Sequence, residues 1–194
     1  MNKKLKLACA VIGVILCARM GLADAWENLP NWKWGANPCV PEEIEGIVRG
    51  TPVGDRGPLE DKLLAVLTSA NATPDAKAYC CRMLMRLGTD KCVPDLAKLL
   101  GDADFSHYAR LALQRMQSSE VAGAALRAAL DTAPDALKIG ILGSVADRRD
   151  EKAIPQVKAL AANANADLAS AAIGALGRIG GKAGLDAIQA LKTP

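Results

Sequence analysis

Aromatic residues are scarce in this chain: its 194 residues include one Phe, two Tyr and three Trp, with a single histidine. This scarcity, together with the absence of any run alternating apolar and polar at period two, argues against a β-sandwich or barrel, whose strands draw on β-branched and aromatic side chains. His107 alone cannot make a metal site, and its expected place is a helix residue near the surface. The chain has no Cys-x-x-Cys pair and no Cys-x-x-Cys-His, which excludes covalent c-type haem. The glycines from Gly174 to Gly184 match neither Gly-x-Gly-x-x-Gly after a strand nor a Walker pattern, so they read as turns and small packing positions. No catalytic set, metal or cofactor is expected.

A charge of one sign is missing as well. Lys3, Lys4 and Lys6 precede an apolar run from Leu5 to Leu16, and Ala23-Asp24-Ala25 has the small-x-small form of a cleavage site, so residues 1–25 are expected to be a secretory signal peptide. The run stops at Arg19, short of the roughly 20 residues a membrane span requires. Ile15 and Leu16 stand where a lipobox before Cys17 would want small residues. Removing this leader takes away four basic residues and one acidic residue, leaving 20 of each. The formal charge of +3 therefore belongs to the leader. No nucleic acid and no anionic membrane surface is expected as a partner, and the exported chain is expected in the periplasm or outside the cell, as a monomer without a stable anchor.

Cys39, Cys80, Cys81 and Cys92 remain after the leader. Four cysteines in an exported chain permit three full disulfide pairings, and Cys80 and Cys81, adjacent on a helix, point roughly 100° apart and rarely join each other. The expected link is from Cys39 to Cys80 or Cys81; the alternative keeps Cys80 as a small core residue.

What is plentiful is Ala, Leu, Ile and Val, which with the other hydrophobic residues make up 51% of the chain. Small apolar side chains let helices approach closely. Residues 26–57 stand apart as an arm and cap. They begin with Trp26-Glu-Asn-Leu-Pro-Asn-Trp-Lys-Trp-Gly-Ala-Asn-Pro38, too rich in Pro, Gly and Asn for a regular helix. Trp26, Trp32 and Trp34 are candidate anchors for a partner, or a lid over the open end of a helical stack; the lid is favoured, because clustered exposed Trp invites aggregation. Pro41 followed by two Glu suits a helix start, 50–58 is a loop, and Leu59, Leu63, Leu64 and Leu67 form a helical stripe.

From Asp75 the chain becomes periodic. Helices are expected at Asp75–Leu87 and Cys92–Leu100, Asp104–Met116 and Val121–Leu130, Pro134–Ala146 and Ala153–Leu160, with Pro94 and Pro155 in opening turns. The last pair begins at Asp167, turns at Gly180 and Gly181, and resumes through Leu185, Ile188 and Leu191. The large residues that end each first helix, Leu87, Met116, Val145 and Ile179, are spaced by 29, 29 and 34 residues. Asp104, Ala109, Ala112, Leu113 and Met116 recur 63 residues on as Asp167, Ala172, Ala175, Leu176 and Ile179. Such short Ala-rich hairpins cannot bury their apolar faces alone and are expected to stack.

These residues, with Leu87-Gly88 leading to Cys92-Val93-Pro94-x-Leu96-x-x-Leu99 and Ala153-Ile154-Pro155-x-Val157-x-x-Leu160, resemble the HEAT repeat in its short bacterial, bilin-lyase-type form. The runs Ala78–Leu84, Ser106–Leu113 and Leu137–Gly140 are similar to exported HEAT-repeat proteins of planctomycete-type bacteria. His107 and Ser170 stand where the family usually carries arginine. The resemblance implies an all-α, right-handed α-solenoid of the armadillo type, about four hairpins over residues 58–194. It also implies a scaffold or adaptor that binds another protein, with Lys98, Arg127, Lys158 and Gln189 as outward residues of the second helices. The other readings are an accessory subunit or lyase-like enzyme of the HEAT-like class, and a structural envelope protein without a specific ligand. Arg148 and Arg149, between Asp147 and Asp150, are expected to be a solvated turn, and Lys182, Asp186 and Lys192 a polar cap on the last hairpin.

Overall fold

The fold, a computed structural model, describes residues 22–36 and 38–191. The expected leader therefore lies outside the described residues as far as residue 21, as does Lys192. Among the described residues the chain is all-helical, with no strand. It divides into two compact units, Met1–Met83 and Leu84–Pro194.

The first unit begins with α1 (Leu22–Asn28), a 3-10 turn (Leu29–Asn31), α2 (Cys39–Gly50) and α3 (Gly57–Thr68), and the division falls inside α4 (Pro74–Leu87). The arm is thus more regular than its composition suggested. Trp26 lies in α1, and of the described residues in the tryptophan segment only 32–36 and 38 lie outside helix. Pro30 is accommodated because it enters the 3-10 turn at its first positions, where no N–H is needed. The expected cleavage point after Ala25, a fully buried residue, falls within α1. Along α2, Val40, Ile44 and Val48 form the buried stripe against which α1 packs.

The second unit continues with α5 (Val93–Lys98), α6 (Ser106–Arg115), α7 (Glu120–Thr132), α8 (Asp135–Asp147), α9 (Ile154–Leu160), α10 (Ala166–Ile179) and α11 (Gly181–Ala190). Pro94 and Pro155 sit in the opening turns of α5 and α9, each after a 3-10 turn. Ser119 caps α7 by accepting from the Ala122 N–H at 3.0 Å, and Asn165 caps α10 by accepting from Asp167 and Leu168 at 3.1 and 3.3 Å. Gly180 and Gly181 take φ of 73° and 65°, which turns α10 into α11 without a Cβ penalty. In this unit α5 meets α6, α6 meets α7, α7 meets α8, α9 meets α10 and α10 meets α11, and alternate helices also touch: α6 meets α8 and α8 meets α10, while α5 meets α7, α7 meets α9 and α9 meets α11.

The repeated Ala and Leu positions form the contact faces. Ala109, Ala112 and Leu113 on α6 and Ala172, Ala175 and Leu176 on α10 are all fully buried. Helix α8, between them, carries a second stripe at Gly140, Ser144 and Asp147. Arg110 of α6 lies so close over Gly140 that a Cβ there would come within 2.8 Å of its Nε. Arg110 donates to the buried Ser144 hydroxyl at 3.2 Å, and Ser144 in turn donates to Gln114 Oε1 at 2.9 Å. Asp147 accepts from Gln114 at 3.0 Å and from Arg178 of α10 at 3.0 Å.

The turn expected to be solvated is different. Arg149 takes φ of 51° as α8 ends, with Asp150 N–H bonded to Val145 C=O and Arg149 N–H to Ala146 C=O, the pattern of a Schellman cap. That geometry directs the half-buried Arg148 back to the loop after α6. There its guanidinium donates to the carbonyls of Leu113 (2.9 Å), Met116 (2.6 Å), Gln117 (3.3 Å) and Ser119 (2.7 Å). Three of these carbonyls also accept a backbone N–H, from Met116, Ser119 and Gly123, so Arg148 supplies a further hydrogen bond to each from 29 to 35 residues away. Burial works against its charge and lowers its pKa, with Asp150 opposing that shift.

Arg148→Ala should cost about 2–4 kcal/mol of unfolding free energy, because it removes four charge-assisted hydrogen bonds to the loop after α6 at once. Arg148→Lys should recover only part of this, since an ammonium cannot match the planar fork. Urea denaturation, with a lowered midpoint at unchanged m, is the measurement.

Candidate binding site at the tryptophan segment

The site grows from the N-terminus of α4. Thr73 precedes that helix, and its Oγ1 accepts from the Ala76 N–H at 3.2 Å while its hydroxyl donates to the Trp32 carbonyl. The Thr73 N–H also donates to the Pro30 carbonyl at 2.9 Å. One turn further on, Asp75 accepts the Trp34 backbone N–H at 3.0 Å. A segment with few internal hydrogen bonds is thereby anchored at three backbone points.

Aromatic contacts fix the rest. Trp32 is buried against Tyr79, with ring centroids 5.7 Å apart, and Tyr79 donates its hydroxyl to the Pro41 carbonyl at 3.1 Å. Trp34 meets Trp32 edge-on at 5.9 Å and 81°, yet remains 71% exposed. The Arg82 guanidinium lies 5.3 Å from the Trp34 ring and 5.6 Å from the Tyr79 ring. Tyr79 and Arg82 are three residues apart on α4 and so share a face. A cavity of about 330 Å3 opens here, lined by Trp32, Trp34, Gly35, Ala36, Pro38 and Pro41.

The three tryptophans thus divide. Trp26 is half-buried in α1 with the Lys62 ammonium 5.1 Å above its ring, and Trp32 is a core residue. Neither offers a partner surface. Trp34 alone is presented to solvent.

Lys98, Arg127, Lys158 and Gln189 fall on α5, α7, α9 and α11, successive second helices, and three of them are exposed. Arg127 is not. Its side chain is 15% exposed, held by Asp150 at 2.5 Å and Glu120 at 2.6 Å, with Lys152 also on Glu120 at 3.0 Å. The carboxylate that caps the turn before α9 draws it inward. Lys98 pairs with Asp95 within its own helix at 2.8 Å, and Lys182 with Asp186 at 2.7 Å on the exposed face of α11.

The link expected from Cys39 to Cys80 or Cys81 is not formed. Cys80, Cys81 and Cys92 are free and fully buried, and Cys39 is disulfide-bonded to none of them. Cys80 and Cys81 occupy the interior of α4 as small core residues. Burial, with the neighbouring Cys81 adding to it, pushes the Cys80 thiol up; burial likewise pushes Cys81 up to about 12. Cys92 donates its S–H to the Thr89 carbonyl at 3.1 Å. His107 is exposed, and its Nδ1 lies 3.0 Å from an Arg110 nitrogen. Among the described residues no three of His, Cys, Asp and Glu are grouped as metal ligands, and no helix is long and apolar enough to cross a membrane.

A second hollow, of about 410 Å3, is lined by Gly88, Thr89, Asp90, Met116, Ser118 and Ser119. Its one carboxylate, Asp90, already accepts from the Ser119 hydroxyl. Arg82, Tyr79 and Asp75 were absent from the sequence-derived site residues. Their one local signal was Tyr79 and Arg82 at i, i+3 below a Thr-Pro-Asp helix start.

No protein-family model matches the chain, and no curated protein matches it. The likeness to HEAT repeats rests on the motifs quoted for it.

Trp32→Ala should destabilise the protein by about 3–5 kcal/mol, whereas Trp34→Ala should cost less than about 1 kcal/mol, as expected of a buried and an exposed ring. Thermal unfolding of the two variants checks this. For Cys80 and Cys81, raised pKa values keep the nucleophilic thiolate rare at pH 8, and burial shields all three thiols from reagent. Iodoacetamide at that pH should leave Cys80, Cys81 and Cys92 unmodified in native protein and modify all three in denaturant, as read by peptide mass mapping.

Proposed function

We propose that this chain is an exported α-solenoid of HEAT-like hairpins that acts as an adaptor, binding a partner protein with Trp34 as its anchor. Alternate-helix contacts along two rows, α6-α8-α10 and α5-α7-α9-α11, are those a stack of hairpins makes, and the spacing of 29, 29 and 34 residues agrees with them. A right-handed superhelix is the form such stacking takes in the family the motifs resemble. Export rests on the pattern of residues 1–25.

One observation carries the binding reading: Trp34 is 71% exposed beside an apolar cavity. An exposed indole is costly to a protein that makes no use of it, and this one is fixed before any partner arrives. Its backbone is held by Asp75 and its ring by Trp32 and Arg82. A preorganised aromatic anchor loses little conformational entropy on binding, and Trp is the side chain most enriched at binding hot spots. Lys98, Lys158 and Gln189, the exposed candidates on α5, α9 and α11, are polar and offer no comparable apolar centre. They would form a polar rim or face solvent.

Immobilised protein should capture a reproducible partner from an extract of the exporting cell's envelope and medium. Trp34→Ala should lose that capture, and Lys98→Glu with Lys158→Glu should keep it. Capture lost only in the lysine variant would move the site to the second helices. No reproducible capture by the unaltered protein would sink the adaptor reading.

A further inference from the structure

We infer that the cavity beside Trp34 receives an extended, proline-containing acidic segment of a partner protein, a prolyl ring lying against the indoles and a carboxylate meeting Arg82. This rests on the adaptor reading and names the ligand chemistry of the same site.

Among the described residues, the lining favours an apolar ring over other ligands. Trp32, Trp34, Gly35, Ala36, Pro38 and Pro41 bring no side-chain hydrogen-bonding group except the indole N–H. A sugar, whose hydroxyls each need partners, would lose hydrogen bonds with water that this surface cannot replace. A quaternary ammonium would suit the indoles but not the neighbouring guanidinium, which already lies over Trp34.

Part of the main chain is engaged as well. Trp34 N–H is taken by Asp75, Trp32 C=O by Thr73, and Pro41 C=O by Tyr79. Ala36 N–H bonds to Lys33 C=O, Pro38 C=O accepts from Glu42 N–H, and the two prolines have no N–H. An added β-strand would meet a segment in which several of its donors are taken or missing. A polyproline II segment needs none: it lacks internal hydrogen bonds, its prolines lack donors, and it docks by laying rings into aromatic grooves. A cavity of about 330 Å3 is at the small end for ligand sites and holds a ring or two, not a whole polymer unit.

Charge complementarity supplies the acidic part. Arg110, Arg127, Arg148 and Arg178 are each engaged by side-chain or carbonyl oxygens. Arg82 is different. Among the described residues it meets only the faces of Trp34 and Tyr79, and its Nε is buried without a hydrogen-bond partner. A guanidinium over an aromatic face still has N–H donors to offer a carboxylate. The charge lacks its counterion, and the ligand brings it.

The test uses the purified protein and three fluorescein-labelled peptides: one with a Pro-Pro-x-Pro core followed by two glutamates, one with those glutamates replaced by glutamine, and one with the prolines replaced by alanine. Anisotropy titrations should show the first binding about tenfold or more tighter than either control. Trp34→Ala should weaken it about thirtyfold, as a hot-spot residue does, while Trp34→Phe should keep part of the affinity. Arg82→Gln should abolish the preference for glutamate over glutamine and flatten the salt dependence, yet leave proline-dependent binding. Circular dichroism confirms that each variant is folded. Equal binding of all three peptides, or affinity unchanged in Trp34→Ala and Arg82→Gln, would overturn the proposal. If partner capture depends on Trp34 while no peptide binds, the ligand chemistry is wrong and the adaptor reading stands. If capture is also absent, both fall.

Discussion

Helix α8 has to serve two neighbours at once, and the second unit depends on how it does so. Its apolar residues Ile141, Leu142 and Val145 are fully buried, while Gly140, Ser144 and Asp147 run down it as a small and polar stripe. A purely apolar α8 would leave the polar ends of Arg110, Gln114 and Arg178 without partners. A polar one would have no core to bury. The stripe resolves the conflict: Gly140 leaves room for the arginine stem, and Ser144 and Asp147 take the polar ends. Each group that enters the contact is matched there, as buried polar groups require.

The helices and their ends were legible because they are written locally. Ala109, Ala112 and Leu113 recur 63 residues on, and both sets are buried as that recurrence requires. Gly180 and Gly181 announced a turn that they make with positive φ. What was not legible lies 29 to 41 residues apart in sequence: Arg148 on the loop after α6, Ser144 between Arg110 and Gln114, Asp75 on Trp34. Arg148 and Arg149 look like any charged turn until the chain reverses at Arg149 and aims one of them backwards. Arg127 looks like any outward arginine until Asp150 is brought beside it.

The tryptophan segment shows the same division within one stretch. Its composition signalled irregularity, and the residues from Trp32 onward are irregular, but α1 carries helix through Trp26 to Asn28. Composition could not separate the roles of three Trp spaced by six and two residues. That separation comes from Thr73 and Tyr79, which seat Trp32 in the core and leave its neighbour outside. One segment thus holds a buried indole and an exposed one.

The buried thiols have a consequence for how the protein comes to exist. Cys80 and Cys81 are protected only by what covers them. On the proposed export, a chain that crosses a membrane unfolded and emerges into an oxidising compartment would expose them before α4 is covered. Structure formation and oxidation then compete for the same residues. A slow-folding variant would lose material to wrong cross-links although its final fold contains none at these positions. The yield of active protein would follow the folding rate and the local redox poise more closely than the equilibrium stability.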